Sequence, residues 1–122
     1  MDYDLRGAWL TLPRFITPVK RHGPDFDTFS FLDGKKKQVL FVYVGYAPRF
    51  PSDSAPKSAR RGAGKIHGLA FQEVRWQDGK HACREVLVKL DPRLAAHCLY
   101  SVSGQQDAAL ADALIASLRR KR

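Results

Sequence analysis

The sequence predicts an α+β domain: a mostly antiparallel β-sheet of six or seven strands with one C-terminal α-helix packed on one face. Three observations predict it. Short segments of alternating apolar and polar residues recur along most of the chain, separated by Gly, Pro and Asp-Gly turns. Residues 38–51, QVLFVYVGYAPRFP, open with the most apolar run in the chain and end in a proline-bounded turn. A single helical stripe closes the sequence, where Leu110, Leu114 and Leu118 recur every fourth residue with Ala111 and Ile115 beside them.

In chain order, residues 8–12 alternate, with Ala8, Leu10 and Leu12 on one face, and Pro13 stops the strand. Residues 15–19 extend it, and Pro18 suits an edge position. KRHGPD reads as a loop by its Gly-Pro pair. Residues 26–32 form the next strand, with Phe29 and Phe31 on one face, followed by a turn centred on Asp33-Gly34. Residues 39–46 are apolar on both faces, Val39, Phe41 and Tyr43 against Leu40, Val42 and Val44, as in a strand covered on both sides. Residues 48–65 read as one long basic loop rich in Pro, Ser and Gly, the kind of segment that carries function. Residues 69–77 and 81–90 form a hairpin about Asp78-Gly79, with Trp76 opposite His81 and Val74 opposite Cys83. Residues 97–102 make the last strand. Residues 107–118 are the helix, with Ser103 as N-cap and residues 119–122 as a basic tail beyond its negative end.

One helix covers one sheet face, so the second apolar face of the central strand needs another cover. Folding of the strands into two layers is the expected solution, ahead of the long loop or a partner.

At 122 residues the chain is a single domain, 1–122, able to bury a core without staples. No apolar run reaches the roughly 20 residues of a membrane helix. Little precedes the first apolar pattern, which fits an exported domain with its signal removed slightly better than a cytosolic one. Lys and Arg outnumber Asp and Glu 21 to 12, a net charge of +9 that attracts anionic partners. The two cysteines, Cys83 and Cys98, are too few for a disulfide scaffold, and the hairpin register sets them too far apart to bridge. Two free thiols are expected.

SARRGAGK, residues 58–65, resembles a phosphate loop but has Ala59 where a glycine and Ile66 where a hydroxyl is required, so nucleotide hydrolysis is not expected. An anion cradle built from Arg60, Arg61, Gly62, Gly64 and Lys65 is the milder reading. His81, Cys83, His97 and Cys98 are four metal-capable side chains, but His97 and Cys98 point to opposite faces, so no metal and no cofactor is expected. No nucleophile elbow or acid pair is present, and no enzyme is expected. Phe29, Phe31, Phe41 and Tyr43 together would make a stacking platform for single-stranded nucleic acid, although an aromatic core is the commoner outcome.

The N-terminal GAWLTLP, residues 7–13, the meandering strands after it and the closing IASLR, residues 115–119, resemble the small PsbP-like α+β domains of exported bacterial proteins. That resemblance implies an exported binding or accessory domain without catalysis. The residues therefore lead to a non-enzymatic protein-interaction module, an accessory, inhibitor or immunity-type protein. Its partner contacts are Tyr46, Arg49, Phe50, Arg60 and Arg61, because aromatic and arginine side chains dominate interface hot spots. The alternative is nucleic-acid or anionic-surface binding through the basic loop and tail.

Overall fold

The computed structural model describes residues 1–46 and 55–121. Among these, ten strands and one helix follow in order: β1 (Asp2–Asp4), β2 (Ala8–Thr11), β3 (Thr17–His22), β4 (Phe26–Leu32), β5 (Gln38–Gly45), β6 (Arg60–Ile66), β7 (Leu69–Asp78), β8 (His81–Lys89), β9 (Ala95–Ser103), α1 (Gln105–Ala116) and β10 (Arg119–Arg120). Seven strands form one antiparallel sheet in the order β3-β4-β5-β9-β8-β7-β6. It is two meanders, β3 to β5 and β6 to β9, joined along β5 and β9. The remaining strands make a small sheet, β1-β2-β10.

Cross-strand register decides which side chains share a face. One row runs Lys20, Phe29, Val42, Cys98, Val86, Glu73, Gly62 across all seven strands. This is the helix face. Phe29, Phe31, Leu40, Val42, Val44, Ala96, Cys98, Val86 and Val88 are buried there, in one core with Leu10 of β2, Leu12 just after it, and Ala111, Leu114, Ile115 and Leu118 of the closing segment. The predicted helical stripe is thus the packing stripe. Burying each such aliphatic side chain contributes about 1.5–3 kcal/mol.

The small sheet packs beside the helix on this same face. Tyr3 of β1 meets Phe29 and Phe31 edge-on, with ring centroids 5.8 Å from each. This corrects the expectation that a second layer covers the second face. Among the described residues both covering units share the helix face, because Leu5, Ala8, Leu10 and Leu12 complete the aliphatic and Phe core there. The other face, here the far face, carries Phe41 and Tyr43 half-buried.

Local chemistry explains where other expectations shift. Arg6 and Gly7 both take positive φ, 65° and 87°, and Leu5 N–H donates to Ala8 O, so the β1–β2 hairpin closes on a two-residue turn. Glycine suits position 7 because of its positive φ, and a Cβ there would also lie 2.8 Å from Leu94 Cδ2, which would have to shift. Lys20 to His22 belong to β3 rather than a loop, and Pro18 does sit in an edge strand. The turn after β4 spans residues 33–37; Asp33 Oδ1 accepts from the backbone of Lys35 and Lys37, and Lys36 takes the positive φ. The β7–β8 hairpin turns at Gly79-Lys80, which moves the register by two. Trp76 opposes Cys83 and Val74 opposes Glu85, because Gly79 at φ 59° is the residue suited to the first turn position. Ser103 stays paired with His81 in the ladder, so Gly104 at φ 103° caps α1 and the helix starts at Gln105.

Two corrections bear on function. Residues 60–65 of the expected long loop belong to strand β6, closed onto β7 by a turn at His67-Gly68 with φ of 47° and 81°. The expected basic tail is the third strand of the small sheet over Arg119 and Arg120. There Arg119 pairs with Asp2 at 2.7 Å, and Lys121 pairs with Asp4 beneath the Trp9 ring.

Candidate binding surface

β6 lies at one edge of the large sheet, and Arg60 through Lys65 are all exposed. Its middle, Gly62-Ala63-Gly64, has no large side chains of its own, and β7 supplies them there. A Cβ at Gly64 would sit 2.9 Å from the Phe71 ring, and one at Gly62 would sit 3.3 Å from the Glu73 carboxylate. The glycines therefore let Phe71 and Glu73 lie across β6 on the helix face. A strand turns successive amides to opposite edges: Gly62 and Gly64 point theirs toward β7 and Ala63 points its own outward, so residues 62–64 do not form the converging nest that an anion cradle needs. Arg60 shares the helix face with the two glycines, whereas Arg61 and Lys65 project on the far face.

Tyr46 is 55% exposed just past β5, with the Arg6 guanidinium 5.5 Å above its ring. Between Tyr46 and β6 runs a groove of ≈ 550 Å³, bordered by Ala63, Gly64, Phe71, Leu87 and Lys89. The structure thus brings Tyr46 and Gly64 to one groove, with Arg61 and Arg60 farther along β6. Arg49 and Phe50 lie outside the described residues. Leu87, Lys89 and Ala63 were not singled out by the sequence. The turn pair His67-Gly68 is the one local signal that could have revealed β6 as a hairpin strand.

The far face continues from the groove along two rows. One runs Tyr43, His97, Leu87, Gln72, Ala63, and the next runs Phe41, Leu99, Glu85, Val74, Arg61. Phe26 stacks on Tyr43 at 5.0 Å. Phe29 and Phe31 belong to the opposite face and are fully buried, so the four aromatics do not form the one stacking platform considered from the sequence. His97 and Glu85 are buried, with Nε2 4.0 Å from Oε2. Burial lowers the His97 pKa below its ordinary 6.5. The unfolded chain then takes up a proton near pH 6.5 that the folded chain resists. Stability is therefore full above that value and falls as pH drops below 6.5. Urea midpoints at pH 7.5 and 5.5 are expected to differ less for His97→Gln than for the wild type.

Other charged groups serve the fold. Arg84 donates to Glu73 at 2.7 Å and to Asp112 of α1 at 2.8 Å, and the Tyr100 hydroxyl donates to the same Asp112 oxygen at 2.8 Å. Asp27, buried on β4, gathers His22 at 2.7 Å, Arg6 at 3.9 Å and Lys20 at 4.0 Å, tying edge strand β3 down. Both cysteines are free and buried. Cys98 shares the helix face with its cross-strand partner Val86, three residues from Cys83 along β8, so the two thiols project from opposite faces. Burial pushes the Cys98 thiol up to about 12, which keeps it protonated and unreactive at neutral pH. Cys83 donates to Ser101 Oγ at 3.4 Å. Among the described residues no three His, Cys, Asp or Glu side chains come together as a metal site, and no helix is long and apolar enough to cross a membrane.

No protein-family model and no curated protein matches this chain. A crystal structure of a protein from Bacteroides thetaiotaomicron VPI-5482 is similar in fold, with a TM-score of 0.50 and 15% sequence identity. The match covers 94% of this chain and 45% of that one, so this chain spans less than half its neighbour's length.

Proposed function

We propose that the protein is a non-enzymatic interaction module that takes a protein partner in the groove between Tyr46 and β6. One observation carries the reading: a large exposed aromatic, held under a guanidinium, faces an exposed cationic strand across ≈ 550 Å³ of partly apolar space. Aromatic anchors beside arginines are the usual composition of interface hot spots. Arg49 and Phe50 belong to the same proposal by their place in the sequence after Tyr46. The likeness to PsbP-like domains favours an exported bacterial accessory, inhibitor or immunity-type protein as its form. Cell fractionation tests that part separately.

Nucleic-acid binding through Arg60, Arg61, Gly62, Gly64, Lys65 and the tail is the competing reading. The pairing of Arg119 with Asp2 and Lys121 with Asp4, and the division of Arg60 and Arg61 between faces, favour the protein partner. The immobilised protein is expected to retain a partner from extracts of its source cells at physiological salt, about 0.15 M. Tyr46→Ala is expected to weaken that binding roughly 30-fold, about 2 kcal/mol. Labelled single- or double-stranded DNA held firmly at that salt, with a steep salt slope that Arg60→Ala and Arg61→Ala flatten, would reverse the ranking.

A further inference from the structure

We infer that β6 is a docking edge, onto which an extended acidic segment of a protein partner adds as a further strand. This rests on the interaction-module reading and names its mode of contact.

The large sheet ends in two edges, and they differ. β3 carries Pro18, which has no N–H to offer, and its Lys20 and His22 are engaged with Asp27. β6 has no proline across its seven residues and is exposed from Arg60 to Lys65. Because β6 and β7 close on a two-residue turn with Ile66 opposite Leu69, bonded and non-bonded pairs alternate from that point. The N–H and C=O groups of Arg61, Ala63 and Lys65 therefore face outward. Among the described residues no strand pairs with that edge.

Side chains leave the approach open. Gly62, Ala63 and Gly64 occupy the middle of the strand, and the groove bordered by Phe71, Leu87 and Leu94 opens beside Ala63 and Gly64 to receive an apolar side chain of the incoming strand. Charge selects the occupant. Arg60, Arg61 and Lys65 make no ion pair among the described residues, and β6 contains no acid. Two copies of β6 set edge to edge would oppose cation to cation, which disfavours self-pairing. An acidic strand meets the opposite field.

The test uses a labelled peptide of alternating glutamate and valine, as long as β6, against the intact protein, with a lysine–valine peptide as control. The acidic peptide is expected to bind and the basic one not. Ala63→Pro removes one outward N–H and is expected to weaken binding at least tenfold, with an unchanged far-UV circular dichroism spectrum. On the wild type, N-methylation of the peptide amides on one alternate set is expected to abolish binding, and on the other set to spare it. Equal effects from both methylated sets would overturn strand addition in favour of side-chain attraction, and so would no binding of the acidic peptide at all. The extract experiment separates the two proposals: a partner lost by Tyr46→Ala but kept by Ala63→Pro leaves the module and removes the docking edge.

Discussion

Phe29→Ala is expected to lower unfolding free energy by about 3–5 kcal/mol, the range for emptying a buried aromatic site. A domain of 122 residues has on the order of 6–18 kcal/mol in total, so the loss is a large fraction. Phe29 is fully buried and stands at the junction of the two sheets. Tyr3 meets its ring edge-on at 88°, and Phe31 lies alongside at 6.4 Å. Removing the ring leaves a cavity in the core and also releases β1 from β4. Phe41→Ala is the matched control, because Phe41 lies on the far face and is only half-buried. It is expected to cost clearly less. Urea denaturation of both variants checks this, and equal midpoints would refute the assignment of the core to the helix face.

Arg84→Ala is expected to cost about 3 kcal/mol. Arg84 is only 7% exposed and joins Glu73 of β7 to Asp112 of α1. Its loss leaves two carboxylates facing each other with Arg75 as their remaining cation, at 3.3 Å from Glu73 and 3.6 Å from Asp112. Breaking a buried pair costs about 3–5 kcal/mol. The lower end applies here, because the Asp112 side chain is 35% exposed and solvent screens it. Replacing Arg84, Glu73 and Asp112 together by leucine is expected to restore most of that stability, since no buried charge is then left uncompensated and Arg75, with its side chain 43% exposed, turns to solvent. A triple variant as unstable as Arg84→Ala would mean that packing of the arginine stem, rather than charge, holds the helix there.

The candidate surface was partly legible. Tyr46 follows directly from the end of an apolar strand, and the structure leaves it exposed. Arg60 and Arg61 were singled out as members of a long basic loop, and the structure sets them instead at the head of a strand. The reason is chemical. RRGAGKI has two glycines and no alternation of apolar residues, so nothing in it signals β structure. Its strand character comes from β7, whose Phe71 and Glu73 fill the space the glycines leave. Arg119 and Arg120 were missed for a related reason, since a strand of two residues exists only through its pairing with Trp9 and Ala8.

Local pattern alone determined the α+β class, the strands over β4, β5, β7, β8 and β9, the turn after β4 and the stripe of α1. Alternation of period two and recurrence near every fourth residue depend only on nearby residues, so they can be read without the fold. Tertiary structure alone decided which face of β5 enters the core, that β9 inserts between β5 and β8, and that the small sheet joins the helix instead of covering the far face. Residues 39–44 are apolar on both sides, and period two cannot rank two apolar sides. The choice falls to contacts far apart in sequence, where Leu10, Leu12, Leu114 and Ile115 pack with Leu40, Val42 and Val44 in one core. Phe41 and Tyr43 are left on the face beside the groove.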